Sequence, residues 1–207
     1  MNTIVTISRQ FGSGGRLIGK LLAKKLNIPF YDKEIIEHAA ENSGLAKEFI
    51  KENEQKRKGF VSYPVPVSAW GGVSYVGFDN LEAKIYAAEA SAIESFAKGG
   101  ACVMVGRCAD YVLKGDYKCL NIYVYADMES RIKRVIEVYN DAPDKRKAQK
   151  LIRETDRLRA RHYRYYTESD WGSAENYHLC VDSALFGIDS CVDMLATAYR
   201  AYDAQNS

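Results

Sequence analysis

The sequence predicts an α/β fold, a three-layer sandwich with a central parallel sheet. Apolar runs of about five residues alternate with amphipathic segments of about twelve, which is typical of strands joined by helical crossovers. The run at 101–105 (ACVMV) lacks polar alternation, as expected of a strand covered on both faces. Helical crossovers make such strands parallel, and ligands then bind at the carboxyl ends of the strands. The residues that follow the strands are therefore the functional candidates.

The composition fits one domain spanning residues 1–207. Charges nearly balance, with 29 Lys+Arg against 27 Asp+Glu, which does not favour a general nucleic-acid binder. No apolar stretch approaches the roughly 20 residues of a membrane helix, and the N-terminus lacks the basic segment and apolar core of a secretory signal. Five cysteines without a Cys-x-x-Cys pair and three scattered histidines form no metal-ligand pattern. We therefore expect a reduced, cytoplasmic protein without membrane association.

The first part of the chain predicts strand, loop, helix, strand and helix. Apolar residues at 4, 5 and 7 form the first strand, which ends at a glycine loop, residues 11–15 (FGSGG). Apolar residues then recur at i, i+3, i+4 and i+8 from Ile18, a helical spacing. A second strand at 28–31 stops at Asp32, and a charged helix follows from about 33 to 58. Residues 59–79 hold two of the four prolines and no stable period, so we interpret them as an irregular insertion, a flap or a dimer contact.

The remainder of the chain continues the alternation. A helix at 81–96 ends at Gly99 and Gly100, and strands are expected at 101–105, 120–125 and 178–181. Asp127 is placed to cap the next helix, because its carboxylate can accept hydrogen bonds from first-turn amides. An apolar stripe between 188 and 202 predicts the closing helix.

The glycine loop predicts a phosphate site. Its glycines let successive backbone N–H groups point at one spot, and the positive end of the following helix dipole favours an anion there. A merely tight strand-to-helix turn is the simpler alternative. The residues expected to hold the phosphates are Gly12, Ser13, Gly14, Gly15 and Arg16.

The loop departs from the Walker A pattern G-x-x-x-x-G-K-[ST], because Gly15 falls where the lysine belongs. Arg16, or else Arg9, would then supply the positive charge. Ser13 and Asp127 are the candidate oxygen ligands for Mg²⁺. A dinucleotide site is a further alternative, since Asp32 ends the second strand about where a ribose-binding acid would lie, although the third glycine of G-x-G-x-x-G is missing.

A basic segment at 144–164 contains nine basic and three acidic residues. Arginine suits bidentate binding of phosphate oxygens, and a mobile arginine-bearing helix could close over a polyphosphate and exclude water. A solvated charged helix and a nucleic-acid patch with interleaved tyrosines are the alternatives. Four arginines would form one ridge on a helix because they are spaced by four, four and three: Arg153, Arg157, Arg161 and Arg164.

These motifs together resemble the cytidylate kinase-like family, relatives of the P-loop nucleoside monophosphate kinases. The matching segments are IVTISRQFGSGGR (4–16), LNIPFYDK (26–33), VMVGRCAD (103–110) and DRLRARHYRYYT (156–167), followed by Trp171 and Tyr177. The similarity is discontinuous but spans nearly the whole chain, and it fails mainly at 59–79. It implies a P-loop nucleoside triphosphate hydrolase-like fold with an acceptor-binding arm at about 33–80 and a helical lid at about 141–172.

The resemblance also implies roles for individual residues. The glycine loop would bind the phosphates of ATP, supplied with Mg²⁺, while Asp32 and Arg107 would contact the acceptor, Arg107 at its phosphate. The lid residues that it implies in catalysis are Arg153, Asp156, Arg157 and Arg159. Arg16 joins the catalytic candidates as the expected substitute for the missing lysine.

The functional hypothesis is ATP-dependent phosphoryl transfer to a nucleoside monophosphate, with CMP or dCMP as the expected acceptor. The absent lysine leaves open a non-catalytic nucleotide-binding or regulatory module, and an NAD(P)-binding protein is a more distant alternative. Small-molecule nucleotides are the expected partners, nucleic acid is not expected, and a homo-oligomer is left open.

Overall fold

The computed structural model describes residues 3–43 and 78–205. In these ranges five strands form one parallel sheet in the order β2-β3-β1-β4-β5, which confirms the predicted fold class. The predicted insertion at 59–79 up to residue 77, the predicted helix beyond 43 and most of the acceptor arm lie outside the described residues. Residues 78 and 79, predicted as the end of the insertion, instead begin a helix. The strands are β1 (Ile4–Arg9), β2 (Phe30–Tyr31), β3 (Val103–Val105), β4 (Cys119–Tyr125) and β5 (Leu179–Asp182).

Helices connect the strands and cover both faces of the sheet. None of the helices within the described ranges has the length and apolarity to cross a bilayer. The helices are α1 (Gly15–Leu26), α2 (Lys33–Ser43), α3 (Phe78–Lys98), α4 (Ala109–Val112), α5 (Met128–Glu137), α6 (Lys145–Thr167), α7 (Ser183–Phe186) and α8 (Ile188–Gln205), with a short 3₁₀ helix at Ala174–Asn176.

Two apolar layers hold the sandwich together. On one face of the sheet, Val5 and Ile7 of β1 pack against α1 and α8, whose Tyr199 is fully buried. On the other face, Ile4 and Met104 pack against α2 and α3. Because strand side chains alternate between faces, the central strand contributes to both layers. This burial makes β1 the rigid centre from which the glycine loop leaves.

The register of the sheet sets the place of the site. Ile7 of β1 lies opposite Val105 of β3, so the residues after each strand leave at the same edge. On the other side, Arg9 lies opposite Val124 of β4. The segments that follow β1, β3 and β4 therefore meet at the carboxyl end of the sheet, as expected for parallel strands.

The predicted basic segment forms the single helix α6. Asp144 caps it by accepting a 2.8 Å hydrogen bond from the amide of Lys147. Its first half packs through Ile152 on α5. In its second half the Tyr166 ring stacks on Tyr86 of α3, with ring centroids 3.7 Å apart. This packing holds α6 across the carboxyl end of the sheet.

Candidate active site

The glycine loop has a backbone that only glycine adopts easily. Gly12 and Gly14 have φ values of 81° and 80°, in the left-handed region, and α1 begins at Gly15. A Cβ on Gly12 would lie 3.0 Å from the carbonyl oxygen of Arg131 on α5. The loop is therefore constrained both by its own conformation and by the helix against which it packs.

Side chains from two helices hold the loop by its backbone. The amide of Phe11 donates a 2.7 Å hydrogen bond to Oδ1 of Asp156, on α6. From α5, Nε of Arg131 donates to the Phe11 carbonyl at 3.1 Å, and Nη1 of Arg134 donates to the Gly12 carbonyl at 2.6 Å. Arg131 also forms a 2.6 Å ion pair with Asp156. The loop is thus fixed by charged groups more than 100 residues away in the chain.

Ser13 stabilises the turn from within. Its side chain is fully buried, and its hydroxyl donates to the Gln10 carbonyl at 2.9 Å. The carbonyl of Ser13 in turn accepts a hydrogen bond from the hydroxyl of Ser183, the first residue of α7. The segment after β5 therefore supports the loop from the side of the sheet opposite α2 and α3.

Burial shifts the pKa values of Asp156 and Arg159, the two charged residues through which α6 contacts the glycine loop and β1. Removal from water raises the pKa of Asp156, although the Phe11 amide and the nearby arginines oppose this shift. Removal from water lowers the pKa of Arg159, against the opposing effect of Asp156. Nη1 of Arg159 donates a 2.9 Å hydrogen bond to the carbonyl of Arg9, and its guanidinium lies 5.6 Å from the Phe11 ring centroid.

The structure separates the predicted catalytic residues of the lid into two groups. Asp156 and Arg159 face the sheet and contact β1 or the glycine loop, whereas Arg153 and Arg157 are exposed. The predicted ridge forms on α6 and its four members are all exposed to solvent. Asp156 and Arg159 therefore reach the site directly, and the exposed arginines lie away from it in this arrangement.

A small cleft, with a cavity volume of about 50 Å³, opens between β1, β3 and α6. Three arginines line it, and this concentration of guanidinium groups favours an anionic ligand. The cleft is lined by Ser8, Arg9, Gly106, Arg107, Cys108, Arg159, His162, Tyr163 and Trp171.

The turn after β3 presents Arg107 to this cleft through a strained backbone. Gly106, Arg107 and Cys108 have φ values of 80°, 60° and 54°. Two consecutive non-glycine residues in the left-handed region are uncommon, and such strain concentrates at functional sites. Nη1 of Arg107 forms a 2.6 Å ion pair with Glu89, a fully buried residue of α3. The ion pair fixes the direction of the guanidinium.

Asp32 joins the start of α1 to the end of β2. Its carboxylate pairs with Nε of Arg16 and lies 4.0 Å from Nη2 of Arg9. Its backbone amide donates a 2.9 Å hydrogen bond to the side chain of Glu34. The predicted acceptor residue thus lies beside two arginines near the glycine loop.

A buried hydrogen-bond chain lies beneath the cleft. The hydroxyl of Tyr163, on α6, donates to Oδ2 of Asp110 at 2.7 Å. Tyr163 is also hydrogen-bonded to Tyr177, which bonds to Ser8 at the end of β1. Burial raises the pKa of Asp110, while the hydrogen bond from Tyr163 opposes the shift. The chain anchors α6 to β1 and α4.

The candidate metal ligands show separate surroundings. Asp127 is exposed, and its carboxylate caps α5 by accepting a 2.9 Å hydrogen bond from the amide of Ser130. Hydrogen bonds from the Ser130 side chain and, second, from its amide lower the pKa of Asp127. The Ser13 hydroxyl is committed to the loop. Within residues 3–43 and 78–205, no three or more His, Cys, Asp or Glu side chains are grouped to hold a metal. Phosphotransferases that bind Mg²⁺ through one or two carboxylates and the substrate phosphates need no such group.

Sequence reasoning missed Arg131 and Arg134. Arg131 is nearly fully buried, beside the apolar residues Ile132 and Val135 of α5. For Arg131 the sequence did hold a signal: it lies four residues after the Asp127 cap, in a helix that begins at the same edge of the sheet as the glycine loop.

The parallel sheet, the glycine loop after its central strand and the arginine-lined cleft at the strand ends are features of the P-loop kinase fold. The chain belongs to the cytidylate kinase-like family, which it matches over residues 4–185.

Solved structures of low sequence identity share the fold. An uncharacterized protein from Eubacterium ventriosum ATCC 27560 is 24% identical, with a TM-score of 0.68 and coverage of 95% of this chain and 97% of that one. A shikimate kinase from Bacteroides thetaiotaomicron is 13% identical (TM-score 0.58; 97% and 99% covered). A shikimate kinase from Acinetobacter baumannii in complex with shikimate is 16% identical (TM-score 0.52; 100% and 95%). No protein of curated function matches the sequence significantly.

Proposed function

We propose that the protein transfers the γ-phosphoryl group of ATP to a nucleoside monophosphate, with CMP or dCMP as the expected acceptor. The observation that carries the proposal is the meeting of the glycine loop and the arginine-lined cleft at one edge of the sheet, with Arg9 between them. Family membership supports a phosphotransferase with a nucleotide substrate. The identity of donor and acceptor is our inference from the site.

The phosphate donor would bind at the glycine loop and the first turn of α1. The first N–H groups of any α-helix have no intrahelical acceptor, and in α1 these include the amides of Arg16 and Leu17. The helix dipole adds positive potential at the same place. The residues proposed to hold the donor are Gly12, Ser13, Gly14, Gly15 and Arg16.

The acceptor would bind in the cleft. Arg107 is already oriented by Glu89, so it can bind a phosphate without first being ordered. Asp32 would accept a hydrogen bond from a neutral part of the acceptor. An acceptor monoester brings an ionised phosphate oxygen as the nucleophile, and this oxygen needs no deprotonation in the transfer step.

Positioning and electrostatic stabilisation would supply the rate, as in other phosphoryl transfers. Arg159 would bind the migrating group while Asp156 keeps α6 on the loop. Arg16 would balance the charge of Asp32. Arg153 and Arg157 would reach phosphate oxygens only through movement of α6, which is the proposed lid motion.

Mg²⁺ would enter with ATP and neutralise charge on the β- and γ-phosphates. The phosphates would provide most of its ligands. The carboxylate of Asp127, which follows β4, and the hydroxyl of Ser13 are the protein oxygens proposed as further Mg²⁺ ligands.

The assay that tests the proposal incubates the protein with ATP·Mg²⁺ and a panel of nucleoside monophosphates and measures ADP formation. Turnover with one acceptor well above the acceptor-free rate is expected. Binding of ATP without turnover would instead support the non-catalytic module, which the glycine in the lysine position favours. Tight NAD(P) binding without ATP affinity would contradict both.

A further inference from the structure

The side chain of Arg9 leaves no room for a side chain at position 15. The φ of Gly15 is not among the positive values of the chain, so its backbone would accept any residue. A Cβ on Gly15 would lie 2.6 Å from Cβ and 3.2 Å from Cγ of Arg9, and 3.1 Å from Cβ of Val124. The space in which a lysine at position 15 would start is therefore occupied by the stem of Arg9.

The other end of Arg9 lies over a second glycine. A Cβ on Gly106 would overlap Nη1 of Arg9 and would lie 3.2 Å from its Cζ. The side chain of Arg9 thus extends from the start of α1, beside the glycine loop, to the turn after β3. The stem of Arg9 therefore lies on the proposed donor side, and its guanidinium reaches the proposed acceptor side.

The charges around the Arg9 guanidinium are those of a phosphoryl site. Oδ1 of Asp32 lies 4.0 Å from its Nη2, and Arg107 and Arg159 line the same cleft. The Arg9 side chain is 21% exposed, whereas that of Arg16 is 54% exposed and pairs with Asp32 through Nε. Arg9 and Arg16 are the two candidates to replace the missing lysine, and only Arg9 is enclosed between the glycine loop and the arginine-lined cleft.

We propose that Arg9 performs the work of the Walker A lysine, and that Gly15 is a glycine because Arg9 occupies the lysine's space. The inference rests on the proposed function and names the cation that contacts the transferred group. An acceptor phosphate oxygen attacks the γ-phosphorus, the bond from that phosphorus to the β–γ bridging oxygen breaks, and ADP leaves with the electron pair. Arg9 stays protonated and stabilises the charge on the migrating group.

The test combines turnover with binding that does not depend on turnover. Arg9→Gln should lower kcat by about 100-fold or more, as expected when one charge-stabilising donor is removed. If Arg9 contacts the γ-phosphate, the wild type should bind a non-hydrolysable ATP analogue more tightly than ADP, and Arg9→Gln should lose most of that preference. Arg200→Gln, at an exposed position of α8 outside the site and the proposed lid, is the matched control and should change neither quantity.

A paired exchange makes the test specific for the shared space. Gly15→Lys alone should disrupt the site, because the new side chain meets Arg9. The double variant Arg9→Gly with Gly15→Lys restores the standard position of the cation. Its kcat, or its preference for the ATP analogue over ADP, should be at least about tenfold higher than that of Arg9→Gly alone. Circular dichroism and thermal unfolding identify any variant that fails to fold. If Arg9→Gln does not fold, Arg9→Lys replaces it in the test, and because it keeps the positive charge it should retain part of the analogue preference.

The outcomes separate the inference from the proposed function. Wild-type turnover with kcat and analogue preference unchanged in Arg9→Gln would overturn the role of Arg9 and leave the kinase proposal intact. No wild-type turnover, with analogue preference lost in Arg9→Gln, would overturn the kinase proposal and support Arg9 as the γ-phosphate contact. A wild type that does not bind the analogue would overturn both.

Discussion

The carboxylate of Asp156 accepts a 2.7 Å hydrogen bond from the backbone amide of Phe11. This contact joins the helix α6 to the glycine loop across 145 residues of sequence. It places a carboxylate at an amide of the loop, where the same carboxylate also neutralises the buried Arg131. The loop, α5 and α6 are therefore one electrostatic unit, and the loop cannot move without affecting the helix.

Substitution of Asp156 should loosen this unit. Asp156→Ala leaves the Phe11 amide and the buried Arg131 without their acceptor, so the free energy of unfolding should fall by about 3 kcal/mol. Asp156→Asn retains an oxygen for the amide and should lose less. Urea unfolding measures both variants. Equal stability of Asp156→Ala and the wild type would show that the contact contributes nothing to folding.

A pair of alanine substitutions tests the packing of the glycine loop. Gly12 and Gly115 both have φ in the left-handed region, at 81° and 91°. A Cβ at Gly115 meets nothing within 4 Å, whereas one at Gly12 meets the carbonyl of Arg131 at 3.0 Å. Gly115→Ala should therefore lose about 1 kcal/mol of unfolding free energy from the backbone alone, and Gly12→Ala distinctly more. Equal losses in denaturant unfolding would refute the tight packing of the loop on α5.

Asp110 predicts a pH dependence of stability. Burial raises its folded-state pKa above the ordinary value of 3.8. At lower pH the carboxyl is neutral in both states, but as pH rises through the raised pKa the folded state must bury a charge that the unfolded state exposes to water. The contribution of Asp110 to stability is thus present at low pH and lost as pH rises.

Asp110→Asn removes this charge and keeps an oxygen that can accept from Tyr163. The free energy of unfolding of the variant, relative to the wild type, should therefore increase from about pH 4 towards neutrality. Asp116→Asn, at an exposed position, is the control substitution. A difference between Asp110→Asn and the wild type that stays constant over this range would contradict the shifted pKa.

Arg107 should affect the acceptor rather than the donor. Arg107→Ala should raise the acceptor KM and lower kcat while ATP affinity changes little, because the residue lies on the acceptor side of the cleft. The single variant strands the buried Glu89, so the double variant with Glu89→Gln removes that charge as well. Steady-state kinetics and calorimetric binding of an ATP analogue report the two effects. An unaltered kcat/KM for the acceptor in the double variant would refute this role.

Local features of the site were accessible from sequence. Periodicity and residue type predicted the strand, glycine loop and helix at the start of the chain, the cap at Asp127 and the single helix of the basic segment, because each depends on neighbours within a few residues. The continuous apolar run at 101–105 predicted β3, which lies beside the central strand with all three of its residues buried. The second strand is shorter than predicted, at Phe30–Tyr31, since Pro29 lies before it and cannot donate to a strand ladder.

Long-range contacts were not accessible in the same way. The hydrogen bond from Arg134 to the Gly12 carbonyl spans 122 residues, and nothing in the local sequence indicates it. The division of α6 into an inward side with Asp156 and Arg159 and exposed positions at Arg153 and Arg157 depends on how the helix packs on α5. The passage of Arg9 across two glycines likewise follows only from the assembled sheet.

The most direct measurement is a crystal structure with a non-hydrolysable ATP analogue and Mg²⁺. The account predicts the triphosphate at the backbone N–H groups of residues 12–16, with its γ-phosphate facing the arginine-lined cleft. An analogue bound elsewhere, with the glycine loop still held by Asp156 and no phosphate at the start of α1, would contradict it.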